Sequence, residues 1–250
     1  MPNENLVNPL DASPVSRPDL VVFVVIDVSG SMSGERINAV NNAMREVVPI
    51  LRGVGGSDAI VKLAVLTFSD EAKWRYNIPM DVSLFDWTDL HTETVTNYGN
   101  AYRELCDKMS RGAFMKSDIG YKKPIVILMS DGGPTDPEDY PKELERLKSN
   151  MWFKKSTKIA LAVLDADKDV LEEFAPEAVF EVTDVQQIKK MIKAIAITSA
   201  EIGSKSMPID INTATGDIDA EADKKVIEGI KDAIDDDIWA ASVQEDGDFQ

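Results

Sequence analysis

Cysteine and histidine are almost missing from this 250-residue chain, which has one of each, Cys106 and His91. One cysteine excludes an internal disulfide and a cysteine-based zinc site. One histidine excludes His-rich metal centres and speaks against Ser-His-Asp chemistry. Long apolar stretches are missing too. The longest, Leu20–Ile26, has seven residues, far short of a membrane span. The first 18 residues are polar and interrupted by Pro2, Pro9, Pro14 and Pro18, so no secretory signal is legible and a soluble, cytoplasmic protein is expected. Positive charge is scarce: 27 basic side chains face 44 acidic ones, a formal net charge of −17. That balance disfavours nucleic acid and anionic membrane surfaces as partners, because both select clustered Lys and Arg.

What is present is enough apolar material for a core, 44% of residues. The acidity is uneven. Residues 204–250 hold 13 acidic and 4 basic side chains, a net of −9, which marks an acidic C-terminal tail. Three parts follow: an extended arm at 1–18, a body at 19–203 and the tail at 204–250, with helical spacing at 219–239. The tail reads as a solvated terminus, as an amphipathic helix that docks on the body or a partner, or as a source of carboxylates for a site in the body.

Within the body, Leu20–Ile26 is continuous and β-branched, as in a strand buried on both faces of a parallel sheet. A polar turn, Asp27–Gly34, leads to helical spacing over 35–51. A strand is expected at 59–68, an antiparallel edge strand at 72–78, irregular chain at 80–96 and a helix at 99–109. Strands at 125–129, 158–164 and 178–182 then alternate with helices at 138–149, 168–174 and 185–202. This alternation predicts an α/β fold, doubly wound and Rossmann-like: a mostly parallel central sheet, one antiparallel edge strand and helices on both faces. In such sheets ligands bind beyond the strand carboxyl ends, where strand order reverses.

Asp27, Ser29 and Ser31 alternate in the turn after the first strand, and Asp131 ends the strand at 125–129 in the same manner. Carboxylates and hydroxyls are hard oxygen donors and suit Mg²⁺, with Mn²⁺ or Ca²⁺ as substitutes. Capping of a helix by Asp27 and Ser29 would leave the matching turn at Asp131 unexplained. Asp136 precedes Pro137 and a helix, and reads as that helix's N-cap.

Asp27-Val-Ser-Gly-Ser31 resembles the Asp-x-Ser-x-Ser motif of von Willebrand factor A domains, which form a metal-ion-dependent adhesion site. Asp131, in Leu128-Met-Ser-Asp-Gly-Gly-Pro-Thr-Asp136, matches the family's later aspartate. The wording of that segment is most similar to the bacterial tellurium-resistance-type (TerY-like) subgroup. The family's threonine is matched by Thr96 in Thr96-Asn-Tyr-Gly99, with Thr94 as runner-up; Thr94-Val95 stand where members often have two glycines. The resemblance implies a metal site of Asp27, Ser29, Ser31, Thr96 and Asp131 that binds an Asp or Glu of a protein partner. It also implies a non-enzymatic role in a bacterial stress-response or defence setting, beside phosphatase or kinase proteins. The alternative is a Mg²⁺-dependent phosphoryl-transfer or phosphatase-type enzyme. Enzymes of the haloacid dehalogenase type carry a second Asp two residues after the first as acid/base, where this chain has Ser29, and the sequence has no phosphate-binding loop with Lys.

Overall fold

A computed structural model of the chain describes residues 17–53, 59–117, 119–164 and 166–205, and positions 221, 223–225, 227–229 and 231–232. The elements run β1 (Asp19–Asp27), a 3₁₀ turn (Gly30–Met32), α1 (Glu35–Leu51), β2 (Ile60–Phe68), β3 (Ala72–Trp74), β4 (Met80–Asp81), α2 (Tyr98–Lys108) and β5 (Ile125–Ser130). After these come α3 (Tyr140–Ser149), α4 (Met151–Lys155), β6 (Thr157–Val163), α5 (Asp169–Phe174), β7 (Val179–Val182) and α6 (Val185–Lys205).

All nine residues of β1 are buried, as its unbroken apolar run requires. Successive side chains alternate between the faces. Leu20, Val22, Val24 and Ile26 pack with Val40, Met44 and Val47 of α1 and Ile188 and Ile192 of α6. Val21, Phe23 and Val25 pack with Tyr102 and Leu105 of α2, Leu147 of α3, Phe153 of α4 and Phe174 of α5. The sheet thus separates two hydrophobic cores, one beneath each helical layer.

Strand order is β3-β2-β1-β5-β6-β7. The pairs β1–β2, β1–β5, β5–β6 and β6–β7 are all parallel. The expected doubly wound, mostly parallel sheet with an antiparallel edge is therefore present. The edge is filled in two pieces. β3 pairs with the end of β2 (Leu66 opposite Trp74), and β4 pairs with its beginning (Leu63 opposite Met80). Between them the Arg75 guanidinium lies 5.6–5.7 Å from the ring centres of Tyr76, Phe85 and Trp87. This cluster draws the chain off the edge, so the strand expected to reach Ile78 stops at Trp74, and β4 lies where irregular chain was expected. The helix expected at 138–149 is followed by a second, α4. The Asn150 carboxamide oxygen accepts from the amides of Trp152 and Phe153 (2.8 and 3.2 Å) and starts that helix.

The arm, apart from Arg17 and Pro18, lies outside the described residues, as do 206–220 and 233–250 of the tail. The described positions between 221 and 232 are helical. Asp223 is engaged with the body: its carboxylate accepts from Thr157 Oγ (2.6 Å) and pairs with Lys123 (2.7 Å). Ile227 packs against the core on the α1 side of the sheet. Thr157 opens β6 and Lys123 precedes β5, so this contact lies at the amino ends of the strands, the pole opposite Asp27. Asp223→Ala should speed amide exchange at the described positions between 221 and 232 by about tenfold, as expected for loss of charge-assisted hydrogen bonds. Unchanged exchange would show that the carboxylate does not hold the helix. Among the described residues no helix is long and apolar enough to cross a membrane.

Candidate functional site

β1 and β5 are neighbours, with Ile26 opposite Met129. Strand order reverses between them, since the chain continues to β2 on one side and to β6 on the other. Their carboxyl ends therefore deliver Asp27 and Asp131 side by side, at the place where this class of sheet binds ligands.

Asp27 is fully buried. Its Oδ1 accepts from the Ser29 amide (2.8 Å) and its Oδ2 from Ser130 Oγ (2.5 Å). Ser130 Oγ in turn accepts from the Tyr98 hydroxyl (2.6 Å) and the Gly132 amide (2.9 Å). A second chain of oxygens runs beside it. Ser29 Oγ and Ser31 Oγ are 3.0 Å apart, and Ser31 Oγ donates to Asp131 Oδ1 (3.0 Å). With the Ser31 proton on Asp131, Ser29 must donate to Ser31. The structure thus brings together four of the five residues expected from sequence: Asp27, Ser29, Ser31 and Asp131.

Burial is the main influence on Asp27. It raises the carboxyl pKa to about 6, against the lowering pull of the Ser130 and Ser29 hydrogen bonds, and the nearby Asp131 charge adds to the rise. A carboxylate held this way gains from any cation placed beside it.

The fifth residue, Thr96, arrives on the loop before α2. That loop lies against the Asp27–Ser31 turn, where the Gly30 amide donates to the Thr94 carbonyl (3.2 Å) and the Glu93 amide to the Val28 carbonyl (2.6 Å). Thr96 is buried and Thr94 is exposed. The absence of two glycines here does not strain the loop: among the described residues Leu164 is the only non-glycine with positive φ, so Thr94 and Val95 take ordinary backbone angles.

Asp136 differs from expectation. Its carboxylate does not cap α3, which starts after Asp139. It accepts instead from the Tyr98 and Gly99 amides at the start of α2 (3.1 and 2.7 Å). Two free amides 37–38 residues away in sequence offer a better partner than its own chain. Burial raises the Asp136 pKa, and these amides oppose the rise.

Four further residues shape the site and escape sequence reasoning: Ser130, Tyr98, Thr135 and Arg36. The Arg36 guanidinium donates to the Ser31 carbonyl (3.0 Å) and the Leu164 carbonyl (3.1 and 2.9 Å), and approaches Asp131 Oδ2 at 3.8 Å. Two of them had a visible signal: Ser130, a hydroxyl ending an apolar strand beside Asp131, and Thr135, which stands in the Leu128–Asp136 segment quoted above.

The donor set is two carboxylates and several hydroxyls. Among the described residues no three His, Cys, Asp or Glu side chains cluster as metal ligands do. Such a set fits a hard divalent cation that keeps open positions.

The chain belongs to the von Willebrand factor type A domain family, whose sequence pattern it matches over residues 21–194. Domains of this family generally mediate protein–protein interaction. No curated protein sequence matches the chain. Among solved structures it is similar to a von Willebrand factor type A protein from Catenulispora acidiphila, with 16% identity, a TM-score of 0.56, and coverage of 73% of this chain and 43% of that one. Proximal thread matrix protein 1 of the mussel byssus, solved with a zinc-occupied MIDAS motif (the adhesion site named above), gives 20% identity and a TM-score of 0.54 over 74% and 48%. The pilus adhesin SpaC of Lactobacillus rhamnosus GG gives 13% and 0.58 over 76% and 31%. The chain spans less than half the length of each of these proteins. At such identities the likeness establishes the fold.

Proposed function

We propose that this chain is a metal-dependent protein–protein interaction module. A Mg²⁺-type cation is held by Asp27, Ser29, Ser31, Thr96 and Asp131, directly or through water, and takes a carboxylate from an Asp or Glu of the partner. The observation that carries this reading is the Ser29–Ser31–Asp131 chain of oxygens beside buried Asp27, at the strand-order reversal. Two carboxylates balance the charge of a divalent ion, and neutral hydroxyls leave it a strong Lewis acid for an incoming carboxylate. The zinc-occupied MIDAS motif of the mussel relative supports a divalent metal in this fold. Hard oxygen donors favour Mg²⁺ over zinc here.

The role is docking rather than catalysis. Ser29 occupies the place where haloacid-dehalogenase-type enzymes carry their acid/base Asp, and its hydroxyl is engaged with Ser31. The setting we propose is the bacterial cytoplasm, in a stress-response or defence system with phosphatase or kinase proteins as partners. It rests on the TerY-like wording of Leu128–Asp136.

Calorimetric titration with Mg²⁺, Mn²⁺ and Zn²⁺ tests the metal. A pull-down from the source organism with Mg²⁺ and with chelator tests the docking. Partners retained equally in chelator would remove the metal from the function. Thr96→Ala should weaken Mg²⁺ binding by about tenfold and Thr94→Ala by less than about twofold, since a buried hydroxyl is fixed and an exposed one is not. The reverse order would make Thr94 the ligand.

A further inference from the structure

Every ligand proposed for the cation lies on β1, β5 or the turns that extend them, except Thr96. That residue rides on a loop, and loops are the less exact way to hold a ligand. The structure contains a device that corrects this. Thr135 grips the backbone of Thr96 from both sides: its amide donates to the Thr96 carbonyl (2.9 Å), its Oγ donates to the same carbonyl (3.0 Å), and its Oγ accepts from the Thr96 amide (3.1 Å). One hydroxyl makes both bonds, giving its proton to the carbonyl and a lone pair to the amide. The next residue, Asp136, receives the amides of Tyr98 and Gly99 on its two oxygens. Asn97 between them spends its own side chain on the Asn100 amide (2.9 Å) and its amide on the Ser69 carbonyl (2.9 Å). The backbone of Thr96, Tyr98 and Gly99 is therefore tied to the loop that also carries Asp131.

We infer that Thr135 and Asp136 are positioning residues for the Thr96 ligand, a clamp that sets its hydroxyl at a fixed place relative to Asp131 before a cation arrives. This rests on the metal reading above. It also accounts for the Pro-Thr-Asp end of the Asp131 segment, which metal ligation leaves without a task. A plain capping role for Asp136 would stabilise α2 and leave cation affinity alone. A positioning role adds a cost in affinity, because the hydroxyl then has to be ordered by the cation itself.

The test uses the full chain, titrated calorimetrically with Mg²⁺ at a temperature where each variant is folded. Thr135→Val keeps the shape and removes both hydroxyl bonds. It should weaken Mg²⁺ binding by about tenfold, as should Asp136→Asn, while Thr135→Ser should stay within about twofold of wild type. The Thr96→Ala/Thr135→Val double variant should bind no more weakly than Thr96→Ala alone, because a clamp acts only through the residue it holds. In the metal-free chain, amide exchange at Thr96, Tyr98 and Gly99 should accelerate in the Val and Asn variants.

Wild-type affinity in Thr135→Val and Asp136→Asn, or additive losses in the double variant, overturns the inference. A wild-type chain that binds no divalent cation, or an Asp27→Ala chain that binds as tightly as wild type, overturns the metal reading first and the clamp with it.

Discussion

Asp27→Asn is expected to make the metal-free chain more stable while its divalent-cation binding disappears. Asp27 is buried and ionises at about 6, against 3.8 for the free side chain. The folded state therefore holds a proton that the unfolded state releases between those two values. Because the pKa is raised, stability falls as pH climbs through that window and levels off above it. At pH 8 the ionised carboxylate costs the metal-free fold about 3 kcal/mol relative to its protonated form. Asparagine keeps the shape, and its oxygen can still accept from Ser130 or Ser29. It carries no charge to desolvate, and it is a poor ligand for a hard cation. Chemical denaturation between pH 4 and 8 in the presence of chelator checks the first half: wild type should lose stability across the window and the variant should lose much less. A parallel slope for the two proteins would mean that Asp27 does not carry the effect. Titration with Mg²⁺ checks the second half, with a loss of more than about 100-fold expected for removal of a charged ligand. The same carboxylate is thus a burden on the bare fold and a reason for it to bind a cation. Protonation competes with metal, so affinity should also fall as pH drops below about 6.

Gly132→Ala should be the other severe change. Gly132 follows Asp131 with φ +89°, and a Cβ there would lie 1.8 Å from the Asp167 carbonyl oxygen. The clash is with backbone and cannot be relieved by a side-chain rotation. The loop between β6 and α5 is fastened at that point, where the Asp167 amide donates to the Asp131 carbonyl (2.9 Å). An alanine must force that loop away and also adopt a positive φ. Together the strained φ and the lost hydrogen bond cost about 3 kcal/mol or more, which lowers the melting temperature by roughly 10 °C in a domain of this size. Gly133→Ala is the control, because nothing lies within 4 Å of its Cβ position. Equal stability of the two variants would contradict the close approach at Gly132. Mg²⁺ affinity should fall in Gly132→Ala as well, since the Gly132 amide also holds Ser130, the hydroxyl that donates to Asp27.

The sequence by itself determined the layers and most of the oxygen donors. Leu20–Ile26 reads as a strand covered on both faces, because it is an unbroken, β-branched apolar run, and all of it is buried in β1. Ile37, Val40, Met44, Val47 and Leu51 recur at helical spacing, and all five are buried in α1. Asp27, Ser29 and Ser31 were legible because their relation is local, three donors alternating in one turn.

What only the tertiary structure decided concerns polar groups whose partners are remote in sequence. Ser130 meets Asp27 across 103 residues. Asp136 leaves the helix that follows it and serves one that begins 38 residues earlier. Thr96 is enclosed and Thr94 is not, because Thr135, 39 residues away, closes over the Thr96 backbone, while Thr94 meets the Asp27–Ser31 turn only through its carbonyl. Asp223, which in sequence looks like any other acid of the tail, meets Thr157 and Lys123 at the pole away from Asp27. The physical reason is the same throughout. Apolar patterning is a property of consecutive residues and survives in one dimension. A hydrogen bond needs two groups within about 3 Å of each other, and that proximity exists only after the sheet has assembled.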